Sequence, residues 1–115
     1  MKTDVVFVVD TSSAVSKDQL HVTRRFLDFL ANRLNFAGGY ARMAVVTYGA
    51  KPQVVMNLGQ ATSAGAATAI IQSKVNLLGG ATNTGAALSF AIDNVLMKNK
   101  RDASQVGIMF RAACL

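Results

Sequence analysis

Asp4-Val5-Val6-Phe7-Val8-Val9-Asp10-Thr11-Ser12-Ser13-Ala14 is the stretch on which the fold turns. Five apolar residues between two aspartates read as a central strand of a parallel sheet, covered on both faces. A strand with one wet face would alternate apolar with polar residues instead. Ligands of open α/β sheets bind in the crevice beyond the carboxyl ends of such strands, so Asp10 and Ser12 stand where chemistry would be done. A carboxylate at a buried strand end needs a partner. Arg111, at the end of the last predicted strand, is a candidate for that role, with an ordinary surface orientation as the alternative.

Outward from this strand, Ser16 and Gln19 form a capping box, with Val15 and Leu20 as its hydrophobic staple. Leu20, Leu27, Leu30 and Leu34 then recur at helical spacing, with Phe26 beside them. Arg24, Arg25 and Asp28 are expected to turn outward, and Gly38-Gly39 to stop the helix. Residues 42–49 read as a second strand and 53–58 as a third, joined by a short hairpin whose Pro52 suits a sheet edge. A helix over 62–76 places Ala67, Ile71, Val75 and Leu78 on one side. After a glycine-rich turn, a further helix is expected to bury Ala87, Leu88, Ala91, Ile92 and Val95, and residues 105–110 form a fourth strand. This order predicts an α/β, doubly wound, mostly parallel sheet with one antiparallel edge strand, in one domain over residues 1–115.

A chain of 115 residues has room for one core, and its 51% apolar content with a single proline excludes disorder. No apolar stretch is long enough to cross a bilayer, so membrane insertion is not expected. The apolar run bracketed by Asp4 and Asp10 is also too short for a signal peptide. Cys114 has no second cysteine in this sequence to pair with. Twelve basic residues against six acids, all of them Asp, give a formal charge of +6, which favours sulfated glycans, acidic proteins or nucleic acid. Neither tyrosine adjoins a basic cluster, which counts against nucleic acid. Arg24, Arg25, Lys98, Lys100 and Arg101 are the clustered cations and the candidate ligand-binding residues. Their alternative role is a solvated face, in which Lys98, Lys100 and Arg101 simply meet a helix dipole. His21 has no second His or Cys to complete a metal set and reads as a surface residue. Met43, Met56, Met97 and Met109 read as core filler.

Three blocks taken together, Asp4 to Ser12, Arg42 to Gly49 and Gly79 to Leu88, resemble the von Willebrand factor type A domain, also found as the integrin I domain. The resemblance implies a sheet ordered 3-2-1-4, with the family's remaining strands and helices expected after Leu115. It also implies a metal ion-dependent adhesion site: Asp-x-Ser-x-Ser, a threonine from a Gly-Gly-x-Thr turn, and an aspartate closing the fourth strand. Asp10, Ser12 and Thr82 match that pattern, whereas Ala14 and Ala112 stand where a serine and an aspartate are required. An all-oxygen site suits a hard ion such as Mg²⁺, and losing one hydroxyl and one carboxylate leaves it short of ligands and charge. The expectation is no cofactor, or weakly bound Mg²⁺.

The implied function is a non-enzymatic adhesion or extracellular-matrix module, with an extracellular location by family resemblance. Its partners would be a matrix or cell-surface protein or a sulfated glycan, bound mainly outside the metal site. Self-association through an exposed fourth-strand edge is also expected. One alternative is Mg²⁺-dependent binding through the residual Asp10, Ser12 and Thr82. Another is a phosphate- or nucleotide-binding enzyme using Asp10, but no carboxylate adjoins Asp10, and Gly80 to Gly85 lacks the Gly-Lys-Ser/Thr ending of a phosphate loop.

Overall fold

A computed structural model of the chain describes residues 2–81, 83–98, 101 and 104–110. Strand β1 (Thr3–Asp10) lies parallel to both its neighbours, β2 (Ala41–Tyr48) on one side and β4 (Ser104–Phe110) on the other. Strand β3 (Gln53–Met56) runs antiparallel along the outer edge of β2, giving the order β3-β2-β1-β4. This matches the predicted α/β doubly wound sheet and its antiparallel edge.

The side chains of β1 divide between two cores. Val5, Phe7 and Val9 pack with Met43, Val45, Leu27 and Ile71 beneath helices α1 (Lys17–Ala31) and α2 (Ala64–Lys74). Val6 and Val8 pack on the other face with Ala44, Val46, Ala87, Ala91 and Val95, beneath helix α3 (Thr84–Ala91) and the turn after it. An unbroken apolar strand is what a doubly covered position requires, and each fully buried aliphatic contributes about 1.5–3 kcal/mol.

Helix α1 starts as the capping box dictates. The Ser16 hydroxyl accepts the Gln19 N–H at 3.1 Å, and the Gln19 side chain accepts the Ser16 N–H at 2.8 Å. It ends earlier than expected, at Ala31: Asn32 caps it, with its side-chain Nδ2 on the Asp28 carbonyl, and the next two amides tighten to three-residue bonds, Arg33 to Leu30 and Leu34 to Ala31. Gly38 and Gly39, at φ 63° and 72°, shape a later 3₁₀ turn over Ala37–Gly39 instead. Two side-chain expectations are corrected. Phe26 does not join the leucines but faces solvent with Val22 and Phe29, its ring 6.5 Å from that of Phe29. Arg24 turns towards α2, donating Nε to the Val75 carbonyl at 2.7 Å and a terminal nitrogen to Asn76 at 3.0 Å. Asp28 likewise meets Gln72 of α2. The flank of α1 that carries Arg24 and Asp28 is the flank α2 packs against.

Leu88 and Ile92 were expected on the buried face of α3, yet they are exposed, and Ala87, Ala91 and Val95 are buried. Those three recur every fourth residue, a spacing that drifts around a regular helix. The helix compensates by passing into a π turn over Ile92–Leu96, closed by the Met97 N–H on the Ile92 carbonyl at 2.9 Å. The wider turn winds less per residue and returns Val95 beneath Ala87. Helix α2 ends at Lys74, so Leu78 lies beyond it and is exposed. Met43 and Met56 are core residues as expected, whereas Met97 is exposed. Among the described residues no helix is long and apolar enough to cross a membrane.

Candidate functional site

At the carboxyl end of the sheet, three separate stretches of sequence meet. Asp10 closes β1, is 4% exposed, and accepts the Ser12 N–H on Oδ1 at 2.9 Å. Ser12 is fully buried, and its hydroxyl accepts the Ala14 N–H at 3.3 Å. Thr11 donates both its N–H and its hydroxyl to the Tyr48 carbonyl, at 2.8 and 3.1 Å, which ties this loop to the end of β2. The Leu78–Gly80 turn completes the cluster. Leu78 and Gly79 each donate an N–H to the Thr11 carbonyl at 2.9 Å, and Ser13 donates its N–H and its hydroxyl to the Gly80 carbonyl at 3.0 Å. The Ala50 N–H reaches the Gly79 carbonyl at 3.0 Å. The approach is close enough to require glycine: a Cβ on Gly49 would lie 2.2 Å from the Gly79 oxygen. Gly80, at φ 81°, would bring a Cβ within 2.5 Å of that of Ala50.

The oxygen donors at this end fall short of a complete hard-ion site. Asp10 and Ser12 are brought together as predicted, but Ala14 contributes a methyl group where the pattern needs a hydroxyl. Thr82, Arg111 and Ala112 lie outside the described residues. Among the described residues no three His, Cys, Asp or Glu side chains gather in one place. One carboxylate and one hydroxyl leave most of the six oxygen positions that Mg²⁺ prefers to other donors.

The amino end of the same sheet carries a charge cluster that the sequence reading missed. Asp4 is fully buried and pairs in register with Arg42 of β2. Arg42 grips it with two parallel hydrogen bonds, Nε to Oδ1 at 2.9 Å and a terminal nitrogen to Oδ2 at 2.8 Å. Arg101 donates Nε to the same Oδ1 at 2.9 Å and also reaches the Gly39, Tyr40 and Thr3 carbonyls. The Arg42 guanidinium holds the Asp4 carboxyl below its usual range, against the opposing effect of burial and with help from Arg101. Asp4 in turn raises Arg42. The signal was present in the sequence as a charge near the start of each of three adjacent parallel strands. Beside this cluster opens a groove of about 330 Å³, lined by Thr3, Arg33, Leu34, Asn35, Tyr40 and Ala41.

The five candidate ligand-binding cations are therefore not equivalent. Arg24 and Arg101 are engaged inside the molecule by the bonds given above. Arg25 and Lys98 are exposed, as is His21, and Lys100 lies outside the described residues. The helix-dipole role expected of Arg101 gives way to its ion pair with Asp4.

Comparison with known proteins agrees with this geometry. A sequence model of the von Willebrand factor type A domain matches residues 4–112. The human collagen alpha-1(XXI) chain is 28% identical over 107 residues, which are 93% of this chain and 11% of the collagen. Bovine vitrin is 31% identical over 111 residues, 94% of this chain and 17% of vitrin. The chain thus spans less than a fifth of either relative. Among solved structures, proximal thread matrix protein 1 from the mussel byssus, with a zinc occupied MIDAS motif, superposes with a TM-score of 0.82 at 22% identity. That match covers 94% of this chain and 28% of the mussel protein. With a family match over nearly its whole length, and with the three blocks meeting at one end of a β3-β2-β1-β4 sheet, the chain belongs to the von Willebrand factor type A domain family.

Proposed function

We propose that this domain is a non-enzymatic adhesion module of the extracellular matrix, binding a matrix or cell-surface protein or a sulfated glycan without a complete metal site. The observation that carries the reading is the make-up of the β1 end. Asp10 and Ser12 keep their positions there, while Ala14 supplies no oxygen. Three loops are nonetheless held together at that end by the bonds of Thr11 and Ser13 to the Leu78–Gly80 turn and to Tyr48. Similarity to a collagen chain and to a byssal matrix protein supports the matrix setting and the non-enzymatic class. Any Mg²⁺ held by Asp10, Ser12 and Thr82 is weak in this reading and not needed for ligand binding. Residues 1–115 act as one binding unit, and pairing along β4, the outermost strand on its side among the described residues, supplies self-association.

The test is binding to immobilised matrix proteins in Mg²⁺ and in EDTA, with calorimetric titration of Mg²⁺ alongside. Equal binding in both buffers, and a Mg²⁺ affinity no tighter than about 1 mM, or about −4 kcal/mol, is the expected result. Loss of binding in EDTA, or micromolar Mg²⁺ affinity in the unmodified chain, overturns the proposal. Ala14→Ser together with Ala112→Asp restores a hydroxyl and a charge and is expected to strengthen Mg²⁺ binding.

A further inference from the structure

The groove at the amino end of the sheet is lined by one aromatic residue, Tyr40, one arginine, Arg33, and one amide residue, Asn35. Its volume of about 330 Å³ is at the small end of ligand sites, the size for one sugar unit of a longer chain rather than a large ligand. Tyr40 is 49% exposed, with its backbone fixed: its carbonyl accepts the Thr3 N–H at 2.7 Å and its N–H donates to Ala37 at 3.3 Å. Arg33 is exposed and lies 4.7 Å over the Phe29 ring. A cation over an aromatic face is held by the ring quadrupole, which does not use up its N–H donors. Among the described residues the aspartate ion pairs belong to Arg42 and Arg101, not to Arg33. Asn35 accepts the Ala37 N–H on Oδ1, which leaves its amide nitrogen as a donor. Behind the groove, two guanidinium groups face the single Asp4 carboxylate, leaving one positive charge in excess.

We infer that this groove binds a sulfated sugar unit of a glycan chain. Arg33 takes the sulfate through paired N–H donors, Tyr40 packs its ring on the apolar face of the sugar, and Asn35 donates to a ring substituent. An arginine near an exposed aromatic ring suits a sugar that carries an anionic group, and a chain of net charge +6 with no glutamate draws polyanions towards it. The inference rests on the adhesion reading above but moves glycan recognition away from the basic clusters of the sequence, two of whose members are occupied internally.

The experiment measures affinity for a short heparin oligosaccharide at fixed ionic strength, using the chain and three variants. Arg33→Gln is expected to weaken binding about tenfold, the loss of one charge-assisted contact. Tyr40→Ala is expected to weaken it about fivefold with no change of charge. Arg25→Gln removes the same charge from the exposed side of α1 and is expected to change affinity about twofold or less, through screened attraction alone. Melting curves accompany each variant, and Tyr40→Leu keeps the apolar bulk if alanine lowers the melting point. Equal losses for Arg33→Gln and Arg25→Gln, with none for either Tyr40 variant, overturn the inference. So does binding of unsulfated hyaluronan as tightly as heparin, or equal competition by an acidic peptide. Matrix-protein binding in EDTA is scored separately. Its persistence without heparin binding removes only the groove, and its loss with heparin binding intact leaves the groove standing.

Discussion

Strand β1 has an aspartate near each end, and the two ends of the sheet hold theirs by different means. Asp4 is enclosed by two arginines from distant parts of the chain, with hydrogen bonds to both of its carboxylate oxygens. Asp10 sits in a cluster made chiefly of backbone groups, hydroxyls and close-packed glycines. Side-chain charge pairs are strong only while every partner is present, because a buried charge left alone is costly. Backbone and hydroxyl bonds between neutral groups are individually weaker, and each can be lost without stranding a charge. The amino end thus depends on a charge cluster whose members need one another, and the carboxyl end on many separate short bonds.

The largest effect expected is from Arg42→Ala, which removes both parallel bonds to Asp4 and costs about 3–5 kcal/mol in urea unfolding. A loss below about 1 kcal/mol would put the two ends on an equal footing. Next comes acid. The Asp4 carboxyl is held below its ordinary value in the folded chain, so its contribution is fully present above the unfolded value of about 3.9 and is lost as pH falls through the lower folded value. Stability is expected to decline in that acid window, and less steeply in Arg42→Ala. An identical acid profile in the two proteins would dissociate Asp4 from the effect. Ser13→Ala is the smallest, about 1 kcal/mol, because the Ser13 N–H still reaches Gly80 when the hydroxyl is gone. Hydrogen exchange should quicken at Leu78 and Gly79 while the amides of β1 stay protected. Faster exchange along β1 as well would mean that the carboxyl-end loops and the sheet open as one unit.

How much of this was legible in the sequence varied with the range of the interaction. The β1 strand was readable because a doubly covered strand must be apolar throughout, a rule that operates residue by residue. The meeting of Asp10, Ser12 and the glycine turn was readable through resemblance, since those blocks carry recognisable spacing. The end of α1 was not, because the chain tightens into three-residue bonds at Arg33 and Leu34, well before the glycines that punctuate the sequence. The outer side of α1 misled for another reason: Val22, Phe26 and Phe29 form a second apolar stripe on the same helix, and periodicity alone does not say which stripe meets the sheet. The Asp4 cluster was hidden because its partners lie 38 and 97 positions away and are joined only once parallel register sets Asp4 opposite Arg42. The groove at Tyr40 depends on the same register, since Thr3 and Ala41 line it from neighbouring strands.

The π turn at Ile92–Leu96 bears on how this segment can change length. Such a turn houses one residue more than the regular turn it replaces. Loss of a single codon within it would leave a continuous helix, shorter by one residue, with Met97 and Lys98 still delivered towards the crossing that leads to Arg101 and β4. With the residue lost at Asp93 or Asn94, Val95 would stand seven positions after Ala87, where a regular helix returns to nearly the same face. The segment can therefore absorb a one-residue deletion with Val95 still turned to the sheet, whereas the same deletion inside β1 would transfer every side chain beyond it to the opposite face of the sheet.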